Sequence, residues 1–171
     1  MYSNKKELIS LDKVHIPRWN ELPNVDLYLD QVVTFINSSL SEFLPCNGEN
    51  EEKKENQILT KTMINNYVKN HLIDAPIKKK YSKIQCAKIF AICILKQVYS
   101  MNEIYSLIEI ALEHTEINYA YDRFCNLFEE ALKCAYNKED FVDADSGDGN
   151  KYLLKSVLLS CSYKIYVQDI I

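Results

Sequence analysis

The sequence predicts an all-α protein, a compact helical bundle with room for no more than a minimal β wing. Three observations lead to this class. The 171 residues include only three glycines and four prolines, so few positions favour turns over helices. Apolar residues make up 47% of the chain, enough for a sizeable core. Most of them recur at the three- and four-residue spacing of amphipathic helices.

The chain begins with an irregular arm over its first 24 residues, which we expect Trp19 to anchor to the core. A long helix then begins near Asn24 or Asp26, because either side chain can cap it. Apolar residues keep helical spacing as far as Leu44, and Pro45 ends the helix.

A charged, turn-forming segment over 46–56 separates this helix from a short amphipathic helix over 60–70. The short helix buries one apolar stripe and presents hydrogen-bonding and basic side chains on its opposite face. Pro76 prevents the helix from continuing, so the lysine-rich stretch over 77–81 is expected to form a loop.

Three further helices and a central buried helix complete the bundle. Ser82 caps the central helix, which is apolar nearly all round, and Ser100 caps the next. Further helices are predicted over 117–136 and 151–169, joined by an acidic loop over 138–150. The aspartates of that loop lack the glycine and glutamate positions of a calcium-binding loop, so it is expected to be solvated.

Composition excludes several functional classes. The six cysteines include no pair with metal-ligand spacing, and they fit thiols of a core in a reducing compartment. No apolar run is long enough to span a membrane, and the first residues lack the pattern of a signal peptide. We therefore expect a cytoplasmic protein with no membrane contact, no metal and no cofactor.

Charge is distributed unevenly along the chain, although the net charge is only −4. Residues 58–100 contain eight lysines and a single acid, Asp74, a net charge of +7. The remaining residues hold 12 basic and 23 acidic side chains, a net charge of −11. One basic working face on an acidic body is typical of phosphate recognition, which needs local charge rather than net charge.

The polar face of the 60–70 helix suits the major groove of DNA. Asparagine offers a donor and an acceptor side by side, which matches the edge of adenine. Four residues are therefore predicted to contact bases: Thr62, Asn65, Asn66 and Lys69. Five lysines of the helix and the following loop are predicted to contact phosphates: Lys61, Lys78, Lys79, Lys80 and Lys83.

Residues 60–112 resemble the winged-helix module of MerR-type regulators, in order and spacing, over about a third of the chain. The matching stretches are Met63-Ile64-Asn65-Asn66-Tyr67, His71-Leu72-Ile73, Lys78-Lys79-Lys80-Tyr81-Ser82 and Tyr99-Ser100-Met101-Asn102-Glu103-Ile104. The resemblance implies a recognition helix at 60–70, a wing at 77–81 and a first helix within 26–44. His71 stands where that family favours glycine, so a left-handed helix end costs more here.

Over most of its length the chain also resembles a bacterial family described as domain of unknown function 1836. The stretches that carry this resemblance are Ile16-Pro17-Arg18-Trp19, 26–31, Leu59-Thr60-Lys61, Tyr67-Val68-Lys69, Lys79-Lys80-Tyr81-Ser82 and 94–98. The resemblance implies only a DNA-binding regulator.

Two functions therefore compete. The first is a transcriptional regulator that binds double-stranded, AT-rich DNA through the basic segment 58–114, with a C-terminal region over 115–171 that pairs subunits or senses a signal. In this division residues 1–57 supply the arm, long helix and loop of one compact unit. The second is a helical protein-interaction module that docks an acidic partner on the same basic face. An enzyme is not expected, since no nucleophile–base pair or glycine-rich phosphate loop is present.

Overall fold

Six helices and two short strands form the part of the chain that the computed structural model describes, residues 8–45, 57–142 and 149–171. The predicted class, mostly helical with a minimal β element, is confirmed. The elements are β1 Leu27–Tyr28, α1 Leu29–Leu40, α2 Lys61–Lys69, β2 Lys80–Tyr81, α3 Lys83–Leu95, α4 Met101–Leu112, α5 Ile117–Asn137 and α6 Gly149–Ile170, with two short 3-10 helices at Leu11–Lys13 and Trp19–Glu21.

The core is built around α3, as its nearly uniform apolar character predicts. Ile89, Phe90 and Ile92 are fully buried, and α3 packs against both α5 and α6. The helix begins with a capping box, in which Ser82 Oγ accepts from the Gln85 amide and Gln85 Oε1 accepts from the Ser82 amide. Local capping and burial therefore agree on where this helix begins.

The predicted bounds of the first helix are wrong at both ends. Leu27 and Tyr28 are extended instead of helical, because they pair antiparallel with Tyr81 and Lys80 of β2. The helix therefore begins at Leu29, after the Tyr28 amide donates to Gln31 Oε1 at 2.9 Å. It ends at Leu40, and a turn leads from there toward Pro45.

The arm is held by a buried ion pair. Glu129 of α5 accepts from Arg18 Nη1 and Nη2 at 2.7 and 2.8 Å, and from the amide of Ile16 at 2.7 Å. The hydrogen bond to Glu129 is the main cause that raises the pKa of Arg18 above its ordinary value. Trp19 is half-buried against the core, which confirms its predicted role as an anchor.

The C-terminal helices cover less apolar surface than their sequences suggest. The α5 helix agrees with its prediction, but in α6 the apolar side chains of Leu153 and Ile170 are 37% and 51% exposed. In α4 only Ile104 is buried, while Ala111 of the same stripe is exposed. The predicted loop over 46–56, and 143–148 of the acidic loop, lie outside the described residues.

Five cysteines of the described ranges are buried and unpaired, as their positions in apolar patterns predict. Burial raises the pKa of the Cys93 thiol to about 12, so it stays protonated at neutral pH. Among the same residues, no cluster of three or more His, Cys, Asp or Glu side chains has the arrangement of a metal site. None of the described helices is long and apolar enough to cross a membrane.

Candidate nucleic-acid interface

The exposed face of α2 carries the four residues that the sequence assigns to base contacts. Thr62, Asn65, Asn66 and Lys69 are all exposed. At 3.6 residues per turn they span about 100° of the helix circumference. The other side of α2 is held in the core by Ile64 and Tyr67, which are buried. One continuous strip of amide, hydroxyl and ammonium groups therefore faces solvent.

The α2 helix is terminated by a left-handed residue that is not glycine. His71 has φ 59°, the left-handed conformation that its position after the helix requires. The Leu72 amide donates to the Tyr67 carbonyl at 2.9 Å, and the His71 amide donates to the Val68 carbonyl at 3.1 Å. These are the two bonds of a Schellman motif. The strained helix end expected from the sequence is therefore present at His71.

The start of α2 is held by a side chain that sequence reasoning missed. Asn37 Oδ1 accepts from the amides of Ile58 and Leu59 at 2.9 and 3.0 Å, and its Nδ2 donates to the Leu59 carbonyl at 2.8 Å. Thr60 then caps α2 by accepting from the Met63 amide at 3.2 Å. The only sequence signal was an asparagine inside the otherwise apolar stripe of the first helix.

Lys96, one of the eight lysines of the basic segment, contributes to the same junction instead of to the surface. Its Nζ donates to the Ile58 carbonyl at 2.9 Å. Burial lowers the pKa of this amine, since the charged form is partly removed from water. Fewer than the eight lysines counted in residues 58–100 are therefore available at the surface to bind phosphate.

The buried Tyr67 hydroxyl has no hydrogen-bond partner among the described residues. Tyr67→Phe should therefore leave the free energy of unfolding unchanged or raise it by up to about 1 kcal/mol, since a desolvated hydroxyl is removed. Tyr121→Phe is the matched control, because the Tyr121 hydroxyl donates to the Pro17 carbonyl at 2.7 Å. Urea denaturation should show a loss of about 1 kcal/mol for the control. Equal losses of unfolding free energy in the two variants would contradict the conclusion that the Tyr67 hydroxyl forms no hydrogen bond to the described residues.

The predicted wing is a two-residue turn that presents two lysines. Ile77 and Lys80 pair across it, each amide donating to the other carbonyl at 3.0 and 2.9 Å. Lys78 and Lys79 occupy its centre with φ 49° and 65°, the signature of a type I′ turn. Asn-Gly is the favoured pair in such turns, so two lysines there cost conformational energy. Both side chains are exposed.

The five lysines assigned to phosphates fall into two groups. Lys61, Lys78 and Lys79 are exposed and have no hydrogen bond or ion pair to any residue that the structure describes. By contrast, Lys80 Nζ lies 4.9 Å from the centre of the Tyr28 ring. Lys83 Nζ donates to Asn24 Oδ1 at 3.0 Å and lies 5.3 Å from the centre of the Trp19 ring. The second pair is held against aromatic rings by cation–π attraction.

The helix face and the wing rest on a common support. The α1 helix contacts α2 and also β2, and β1, which leads directly into α1, pairs with β2. The two groups of predicted contact residues are thus carried by neighbouring elements of one framework.

A helical protein with an exposed polar helix face and a basic turn is the class that this geometry defines. Residues 17–124 match the family described as domain of unknown function (DUF1836), and the chain belongs to that family. The matched region includes the end of the arm from Pro17, then α1, α2, the wing, α3 and α4, and it ends within α5. Neither the curated proteins nor the solved structures contain a match to this chain.

Proposed function

We propose that the protein is a DNA-binding regulator of transcription, without catalytic activity, that acts in the cytoplasm. The observation that carries the proposal is the strip formed by Thr62, Asn65, Asn66 and Lys69, which is wholly exposed although the opposite side of α2 is packed into the core. An α-helix with one free face of this kind fits the major groove, which is about 12 Å wide.

The order of elements supports a winged helix-turn-helix of the MerR type. In this proposal α1 is the first helix, α2 is the recognition helix, and the turn at Lys78-Lys79 is the tip of the wing. Pairing of β1 with β2 supports the wing, because it ties the base of the turn to the start of α1. The hydrogen bonds from the Ile58 and Leu59 amides to Asn37 support the role of α2, since a helix that contacts bases must be held rigidly.

Roles divide between sequence reading and backbone binding. Asn65 and Asn66 would pair with adenines, which favours AT-rich targets, while Lys61, Lys78 and Lys79 would bind phosphates. Lys80 and Lys83 already lie against the Tyr28 and Trp19 rings, so we assign them a smaller share of the affinity.

A dimer built through α6 would match the two-fold symmetry of most operators. Apolar side chains recur along one face of this helix with spacings of three, four or seven residues, the pattern of a coiled-coil seam: Tyr152, Leu159, Tyr163, Tyr166 and Ile170. Leu159 and Tyr166 are half-buried against neighbouring side chains, while Tyr152, Tyr163 and Ile170 are exposed and available to a second copy.

The test uses a variant that removes the wing charge and improves the turn. Lys78→Asn/Lys79→Gly installs the preferred type I′ pair, so the free energy of unfolding should hold or rise by up to about 1 kcal/mol. Binding to labelled AT-rich promoter DNA should nevertheless weaken. The slope of log affinity against log salt should become shallower by about two, one unit per lost phosphate contact.

Lys133→Gln/Lys138→Gly is the matched control. It also removes two exposed charges, and Lys138 likewise has positive φ, 59°, at the end of α5. DNA affinity of the control should equal that of the unaltered protein. A third variant, Asn65→Ala/Asn66→Ala, should lose sequence preference while keeping the salt slope. Absence of DNA binding by the unaltered protein at low salt would refute the proposal.

One observation favours the alternative, a protein-interaction module with a basic docking face. Ile77 at the base of the wing is 75% exposed, and Val25, two residues before β1, and Ile84, three residues after β2, are 69% and 43% exposed. Apolar side chains beside positive charge fit an acidic protein better than a phosphate backbone. If DNA is not bound, Ile77→Ser should weaken capture of such a partner, whereas Asn65→Ala/Asn66→Ala should not.

A further inference from the structure

A cavity of about 340 Å³ lies between α3, α4, α5 and α6, away from the proposed DNA surface. Its volume falls at the small end of the roughly 300–1,000 Å³ that is usual for ligand sites. One wall is the apolar stripe of α4, where Leu107 and Ile108 are half-buried and Ala111 is exposed. The opposite walls include Ala91 of α3 and Phe124 of α5. The cavity explains why the α4 stripe is not covered by the bundle.

The charged side chains that line this cavity, among the described residues, are Lys88, Arg123 and Lys151, together with the imidazole of His114. No aspartate or glutamate is among these lining residues, although His114 Nε2 lies 3.7 Å from the carboxylate of Glu113, just outside the lining. This bias is the reverse of the whole chain, which has 24 acidic and 20 basic residues. Lys88 is half-buried on α3 and forms no ion pair with any described residue. Apolar walls with a positive rim complement a molecule that is apolar along its body and anionic at one end.

We infer that the cavity binds a small amphipathic anion, with an apolar body against α4 and an anionic head group beside Lys88. The ligand needs only one anionic group, because a charge removed from water must be paired and the rest of the lining offers mostly apolar contact. The site is a half-open concavity between four helices, which suits a small molecule better than the broad surface of a second copy. This inference does not depend on DNA binding.

The probe is decanoate, measured against the full chain by isothermal titration calorimetry. Two molecules with the same body but another head group, 1-decanol and decylammonium, separate charge recognition from apolar contact. Decanoate should bind about tenfold or more tightly than 1-decanol, because a charged hydrogen bond is lost in the alcohol. Decylammonium should bind more weakly than either. Lys88→Gln should reduce the difference in affinity between decanoate and 1-decanol.

A cavity-filling variant tests the location. Ala111→Phe places a ring at the mouth of the cavity from an exposed position, so folding should be preserved while decanoate affinity falls at least about tenfold. Ser106→Phe, on the same helix but outside the cavity lining, should bind decanoate as the unaltered protein does. The inference is overturned if decanoate fails to bind, if all three probes bind equally, or if Ala111→Phe binds normally. These measurements need no DNA, so their failure is distinct from failure of the proposed function.

Discussion

Glu129→Ala should reduce the free energy of unfolding by about 3–5 kcal/mol, the cost of leaving a buried charge without its partner. The Glu129 carboxylate is 11% exposed and the Arg18 side chain 20% exposed, so solvent can replace the lost interaction only in part. The Ile16 amide would also lose its acceptor. Urea denaturation, followed by helical circular dichroism, measures the change.

Glu130→Ala is the control for this prediction. Glu130 is the next residue of α5 and is exposed, so its removal should change the free energy of unfolding by less than about 0.5 kcal/mol. Similar losses in the two variants would mean that the arm does not depend on the ion pair. The result also bears on the extent of the folded unit, because Glu129 lies beyond the family match that ends at residue 124.

Asn37→Ala should cost about 2–4 kcal/mol, since it leaves two amides and one carbonyl of Ile58 and Leu59 without their side-chain partner. Alanine is the better helix former, so the measured loss understates the contribution of these bonds. Hydrogen exchange of the Ile58 and Leu59 amides should speed up more than exchange within α3.

Ser38→Ala supplies the comparison for Asn37. Ser38 is exposed, and its hydroxyl donates only to the Phe35 carbonyl of its own helix. Its replacement should leave both stability and the exchange of Ile58 and Leu59 unchanged. Unaltered exchange at these amides in Asn37→Ala would show that α2 is positioned by its apolar contacts alone.

The helices were predictable where their determinants are local. Ser82 and Ser100 begin α3 and α4 as expected, because each capping box is formed within four consecutive residues. The start of α1 was not predictable in this way. Leu27 and Tyr28 fall inside the predicted helix, and only pairing with residues 80 and 81 makes them a strand. A non-local contact therefore overrode the local pattern.

The candidate site was predictable in outline only. Helical period alone placed Thr62, Asn65, Asn66 and Lys69 on one face of α2. It did not separate Lys78 and Lys79, which have no partner in the described part of the chain, from the lysines held against aromatic rings, because those rings come from other segments. Amphipathic spacing likewise identified the apolar side of α4 but not how completely neighbouring helices cover it, so the cavity was missed.

Because β1 pairs with β2, the basic segment 58–114 cannot be separated from the preceding residues without losing contacts. A fragment that begins at residue 58 would lose the ladder partners of Lys80 and Tyr81 and would also lose Asn37. Exchange of whole segments between relatives would break these contacts at both junctions. Retargeting the protein to a new operator is therefore better attempted by substituting the exposed side chains of α2, one at a time, on the intact framework.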